Sequence, residues 1–285
     1  MTETLDPRLH AYRANLADIR LQGRVSAERF IAGDPRRVVA ASAPLKVRPA
    51  ADAPLDSEVL RGEVFSVFET TVEGWSWGQL ETDGYVGYVP GDALSATAPL
   101  PTHRVSALRT FVYPAADMKL PPASVLSFSA AVAIDREAET RGTRYLGLAG
   151  GEGWIGAVHL APVETAPVGG DFVAVAERFV EVPYLWGGRT SLGLDCSALV
   201  QLSLAATGRA APRDSDLQEA MLGQPLVGGV AEARRGDLVF WPGHVAMCID
   251  GEYVVHASGS ALAVVIEALA DAVARIGRPS SIKRP

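Results

Sequence analysis

A duplicated stretch between residues 35 and 162 constrains the fold of this chain more than any other feature of its sequence. Val47-Arg-Pro-Ala-Ala-Asp52 recurs as Val112-Tyr-Pro-Ala-Ala-Asp117, and Gly84-Tyr-Val-Gly-Tyr-Val89 recurs as Gly153-Trp-Ile-Gly-Ala-Val158. The two pairs are offset by similar distances, so one unit is used twice with a small insertion. Each copy is a train of short β-branched and aromatic runs broken by Gly, Pro and Asp, which predicts two small all-β barrels.

The 285 residues exceed what one small core accommodates, and Pro-rich junctions mark where the chain divides. Ala98-Pro-Leu-Pro101 and Ala161-Pro-Val-Glu-Thr-Ala-Pro167 place boundaries around a lead-in segment (1–34), a first barrel (35–98), a second barrel (99–165) and a C-terminal domain (166–285). Asp6-Pro7 and a helical run from Leu9 to Leu21 predict a lead-in that packs on the barrels. A formal net charge of −7 argues against a nucleic-acid partner, and no apolar run is long enough to span a membrane. The start, Met-Thr-Glu-Thr-Leu-Asp-Pro-Arg-Leu-His, lacks the basic and apolar regions of a secretory signal, so with Met1 as the native start the expected location is the cytoplasm. Two cysteines form no disulfide framework and agree with a reducing compartment.

The chemistry concentrates in the last third. Tyr184-Leu-Trp-Gly-Gly-Arg-Thr-Ser-Leu-Gly-Leu-Asp195-Cys196-Ser197 is a Gly-rich approach, followed by an apolar helical run from Ala198 to Ala205 that Gly208 closes. Asp195 is the expected N-cap and Cys196 the first helical residue. Unpaired N–H groups and the helix dipole at that place favour a thiolate, which predicts a lowered thiol pKa. Two histidines follow. His244 opens the run Val245–Ile249 after a Pro-Gly turn, and His256 ends Glu252-Tyr-Val-Val-His256 after an Asp250-Gly251 hairpin signal. Adjacent antiparallel strands bring both imidazoles to one end of a sheet, with His244 expected as general base and ion-pair partner of Cys196 and His256 as its orienting neighbour.

Plainer readings compete. Cys248 lies inside an apolar run and reads as core. His244, Cys248 and His256 could share a metal, but no Cys-x-x-Cys accompanies them, and neither a metal nor an organic cofactor is expected. Ser215 and Gln218 form a Ser-x-x-Gln capping box, which predicts a short helix starting there.

The stretches YLWGG (184–188), DCS (195–197), PRDSDLQ (212–218), RRGDLVFW (234–241), HV (244–245) and VVHAS (254–258) resemble the NlpC/P60 cysteine peptidases and cover nearly all of residues 170–260 in that family's order. Ala198 departs from the Gly that commonly follows DCS there. The resemblance implies an α+β papain-like peptidase domain with Cys196, His244 and His256 as the triad, Tyr184 beside the oxyanion, and Asp195, Ser197 and Ser215 around the substrate's D-glutamyl group. The two barrels resemble bacterial SH3 domains. In NlpC/P60 proteins of this layout the first such domain walls off one end of the cleft, where an acidic residue and a tyrosine hold the substrate's free amine; Glu63 and Tyr85 best match them. The first barrel's other aromatics, Trp75, Trp77 and Tyr88, read mainly as barrel filling.

What the resemblance implies is a γ-D-glutamyl-L-diamino-acid endopeptidase acting on murein peptides with a free N-terminal L-Ala, in wall-peptide recycling. Another amidase or acyl-transfer reaction on the same residues, and a non-catalytic wall-peptide binder, remain the alternatives.

Overall fold

In the computed structural model, which describes residues 5–164 and 170–285, the duplicated stretch runs through a similar succession of strands twice. The first copy comprises Asp34–Val38, Ser42–Lys46, Leu55–Leu60, Val64–Thr70, Trp75–Leu80, Val86–Pro90 and Leu94–Ser95, joined in one seven-stranded antiparallel sheet around Leu45, Val59, Phe65, Leu80 and Val89. The second copy, from His103–Val105 to Leu160–Pro162, breaks into three small sheets around Val105, Leu126, Ala130 and Ile155. Both copies close with one 3-10 turn, Gly91–Ala93 and Ala157–His159, that leads straight into the last strand.

The chain divides into two compact units, Met1–Glu164 and Thr165–Pro285, so the two copies lie in the same unit. They are joined by backbone: the Ala131 N–H donates to the Arg61 carbonyl at 2.8 Å. Gly62 makes this approach possible. Its φ is +88°, and a Cβ there would sit 2.5 Å from the Ala131 oxygen, which only glycine avoids. The expected boundary between residues 165 and 166, and residues 1–4 of the lead-in, lie outside the described residues.

The helix expected from Leu9 to Leu21 does not form. Tyr12–Arg13 and Leu16–Asp18 pair antiparallel, Phe30–Ile31 adds in parallel, and one 3-10 turn covers Ile19–Leu21. Tertiary pairing overrides the helical spacing: Ala11 and Leu16 pack with Phe68 and Trp77, and the Arg8 carbonyl accepts from the Val86 N–H at 2.8 Å. The Arg13 guanidinium lies 4.0 Å from the Trp77 ring centre and donates to the Tyr88 hydroxyl at 2.6 Å, so the lead-in covers part of the first copy's aromatic cluster.

The second unit is α+β. Its six-stranded antiparallel sheet has the order Gln224–Pro225, Ser281–Arg284, Leu238–Trp241, His244–Cys248, Tyr253–Ser258, Ala263–Ala268. The Leu238–Trp241 strand is buried at every position because both its faces are covered. One face carries Val239, Trp241, Ala246, Cys248 and Val254 against helix α4 (Leu269–Ile276). Helix α2 (Cys196–Ala206) packs on the His244–Cys248 and Tyr253–Ser258 strands, as α1 (Phe172–Glu177) does on the latter. Residues 196–204 of α2 are all buried, which explains why its sequence is apolar around the whole circumference. No described helix is long and apolar enough to cross a membrane.

Candidate active site

Asp195 has extended backbone and its side chain accepts from the Ala198 N–H at 2.9 Å, so α2 begins at Cys196 as its sequence requires. The preceding loop is folded back by a small hairpin, Arg189–Thr190 against Gly193–Leu194. Gly188 sits where the two arms touch; a Cβ there would lie 2.5 Å from the Gly193 oxygen.

The Cys196 side chain is 5% exposed. Its sulfur accepts from the backbone N–H of Val245, the residue after His244, which brings the start of α2 to the start of the histidine-bearing strand. The expected lowering of the thiol pKa is overturned. Burial, and then the Asp195 carboxylate beside it, push the thiol up to about 12 against the pull of the Val245 and Ser197 amides and of Arg213. The helix-start donors are present, but desolvation outweighs them. Burial likewise pushes His244 and His256 down to about 4, with the neighbouring positive charges acting in the same direction. Burial thus favours the neutral thiol of Cys196 and the neutral imidazole of His244 over the ion pair expected from the sequence.

The two histidines are in direct contact. His244 Nε2 lies 2.7 Å from His256 Nδ1, and the rings meet edge to face with centres 4.9 Å apart. Pro242 and Gly243 turn the chain so that Trp241 pairs with His244, and the Trp241 ring flanks the imidazole at 5.7 Å. His256 continues the relay through Nε2, 2.6 Å from Glu267 Oε1, and Arg275 of α4 pairs with the same carboxylate oxygen. Glu267 was not singled out from the sequence. Its strand pairs with the His256 strand in the register His256↔Val265 and Val254↔Glu267, a relationship no local pattern announces.

Tyr184 is half-buried, and its phenol is pushed up to about 12, first by burial and then by the nearby Cys196 and Asp195. It stays a hydrogen-bond donor throughout the ordinary pH range. Asp195 and Ser197 are engaged within the protein. Arg213, 1% exposed, donates to Asp195 Oδ1 at 2.9 Å and Oδ2 at 2.7 Å and to Ser197 Oγ at 2.9 Å; Ser197 Oγ donates to Asp195 Oδ1 at 3.1 Å. The Gly187 N–H also reaches Asp195 Oδ2, at 3.0 Å. Arg213 is thus the second residue that sequence reasoning missed, although it stands inside PRDSDLQ.

The Ser-x-x-Gln capping box does not form. Helix α3 (Ser215–Met221) is preceded by Asp214 at the N-cap, which leaves Ser215 as the first helical residue, half-buried. The Gln218 amide instead donates to the Ser197 and Pro212 carbonyls at 2.9 and 2.8 Å, tying α3 to the start of α2. Cys248 lies in the apolar cluster with Val239 and Val254. Glu63 and Tyr85 belong to the first unit. One Glu63 oxygen accepts from the Leu60 N–H at 2.7 Å, and Tyr85 is 7% exposed in the first copy's core.

Residues 45–94 match the bacterial dipeptidyl-peptidase SH3 domain and residues 181–275 match the NlpC/P60 family. Among curated proteins, the chain is similar to dipeptidyl-peptidase 6 of Lysinibacillus sphaericus, 35% identical over 86 residues, which is 30% of this chain and 31% of the relative. It is similar also to the gamma-D-glutamyl-L-lysine dipeptidyl-peptidase of Bacillus subtilis, 29% identical over 112 residues and 36% of each chain. The matches thus span about a third of these relatives' length. In fold the chain resembles the crystal structure of an NlpC/P60 family protein from Bacillus cereus, with a TM-score of 0.71 at 18% identity over 88% of this chain and 99% of that one.

Proposed function

Since the chain carries an NlpC/P60 domain preceded by an SH3-like domain, we propose that it is a cysteine endopeptidase. Its bond is the one between γ-D-glutamate and an L-diamino acid in murein peptides with a free N-terminal L-Ala. What carries this reading is the Cys196 sulfur at the first position of α2, bonded to the Val245 amide next to the His244–His256 pair.

His244 takes the thiol proton as sulfur attacks the γ-carbonyl, because neither group is charged beforehand. Backbone N–H groups at the start of α2 and the Tyr184 hydroxyl receive the oxyanion. The imidazolium then protonates the leaving amine as the C–N bond breaks. A water that gives its proton to His244 hydrolyses the thioester and restores the thiol. Asp195, with Arg213, holds the start of α2 and the Gly187–Gly188 loop in place, and Ser197 and Ser215 lie on the D-glutamyl side. Glu63 and Tyr85 supply the preference for a free amine, a reading supported by the match of residues 45–94 to the SH3 domain of dipeptidyl-peptidases. Small wall peptides under recycling are the natural substrates of such a protein.

Incubation with L-Ala-γ-D-Glu-diaminopimelate and its lysine counterpart, read by mass, is expected to release L-Ala-γ-D-Glu. A protein whose Cys196 alkylates readily but leaves both peptides intact performs another amide or acyl-transfer reaction. One that neither alkylates nor cleaves is a binder. Acetylating the L-Ala nitrogen removes a charge-assisted contact worth about 1.5–3 kcal/mol, so kcat/KM falls roughly ten- to hundredfold. Glu63→Gln keeps an acceptor for the Leu60 N–H, and Tyr85→Phe keeps the packed ring; each narrows that gap by weakening the free peptide. Equal cleavage of free and acetylated peptides removes the amine-binding role from both residues.

A further inference from the structure

The relay behind the imidazole contains one group that cannot donate. A carboxylate paired with a guanidinium only accepts hydrogen bonds, and Glu267 is so paired, with Arg275, while its Oε1 lies 2.6 Å from His256 Nε2. His256 Nε2 must therefore carry a hydrogen. In the neutral ring Nδ1 is then the lone-pair nitrogen, and the 2.7 Å contact to His244 Nε2 requires the hydrogen to belong to His244. The neutral His244 ring is left with its lone pair on Nδ1. We propose that Glu267 is the positioning residue of the site: it sets the direction of the His244–His256 relay so that His244 presents Nδ1 as the proton acceptor for Cys196.

This inference rests on the cysteine-histidine reading above and names the group that gives it polarity. An apolar neighbour for His256 would leave both tautomers open, and a donor there would reverse the relay and put a hydrogen on His244 Nδ1. The charged and titratable groups around Cys196 are Asp195, Arg213 and the Tyr184 phenol; the charges acting on His244 itself are His256, Arg275 and Glu267. Glu267 raises the basicity of His244 and Arg275 lowers it.

The test is the rate at which iodoacetamide alkylates Cys196 in the full chain, located by peptide mass and followed against pH. It needs no knowledge of the substrate. Glu267→Gln, whose amide can donate as well as accept, slows alkylation about tenfold, less than the roughly 10²–10⁴-fold lost when general-base assistance is removed altogether, and moves the acid limb to lower pH. Glu267→Asp recovers part of the rate. Arg275→Gln leaves the carboxylate and moves the acid limb the other way, to higher pH. Nitrogen NMR of the ring shows His244 with its hydrogen on Nε2 in the native protein and a mixture in Glu267→Gln. Native rate and an unmoved limb in folded Glu267→Gln, or an unchanged tautomer, overturn the inference. His244→Gln separates the two levels: if it alkylates like the native protein, the cysteine-histidine reading itself fails. Should Glu267→Gln not fold, limbs that coincide in Arg275→Gln and the native protein, with His244 hydrogen on Nδ1, overturn the inference by themselves.

Discussion

The two cysteines of this chain are buried alike, at 5% exposure for Cys196 and 0% for Cys248, and burial pushes both thiols up to about 12. Their surroundings differ in what would receive charge once the proton leaves. Around Cys248, Asp237 and Asp250 push further in the same direction, and it packs in an apolar cluster with Val239 and Val254. Around Cys196, Asp195 pushes upward as well, but two backbone N–H groups and Arg213 pull the other way, and the histidine relay begins one residue from the Val245 amide. Burial makes a thiol neutral at rest. Nucleophilic potential depends on the donors and the proton acceptor arranged around that neutral group.

The largest effect that tests this contrast is Cys196→Ala, expected to lower kcat by on the order of 10⁴–10⁶-fold with native circular dichroism. A folded Cys196→Ala protein that still cleaves breaks the comparison outright. Next comes His244→Gln, at roughly 10²–10⁴-fold. His256→Ala is expected to cost less than His244→Gln, because it orients the base without being it; a reversed order, with both variants folded, exchanges the two roles.

The pH dependence sharpens the comparison further. A neutral thiol and a neutral imidazole give a kcat/KM that rises as pH climbs through about 4, where His244 loses its proton, and then stays level to about pH 8. A preformed ion pair would instead give a bell with an alkaline limb in that range. The same shift acts on stability. The folded histidines sit near 4 and the unfolded ones near the ordinary 6.5, so between these values the unfolded chain binds more protons. Stability contributed by His244 and His256 is complete above 6.5 and declines as pH falls through about 4, and Tm against pH should bend over that window. A flat Tm there removes the buried neutral state.

The smallest effect is expected of Cys248→Ala: activity within about twofold and a stability loss of about 1 kcal/mol from a small cavity, read by denaturant unfolding. A large activity loss in that variant would mean that the two thiols are not separate systems.

What the sequence by itself determined is what neighbouring residues decide among themselves. Asp195 before an apolar run specifies the N-cap and the start of α2, Pro242-Gly243 specifies the turn that delivers His244, and Asp250-Gly251 the next one. The repeated Gly-x-x-Gly-x-Val motif was legible as well, since in both copies it leads through a 3-10 turn into the last strand. Tertiary structure decided whatever depends on burial or on pairing across distance. It turned the lead-in from helix to paired strands, because packing against Phe68 and Trp77 outweighs a weak local preference. It drew Arg213 onto Asp195, shifted the cap of α3 to Asp214, and brought Glu267 to His256 through strand register. It also turned the pKa of Cys196 upward, since a helix start offers the same amides in any protein, whereas the water excluded from around the sulfur is a property of the whole packed domain.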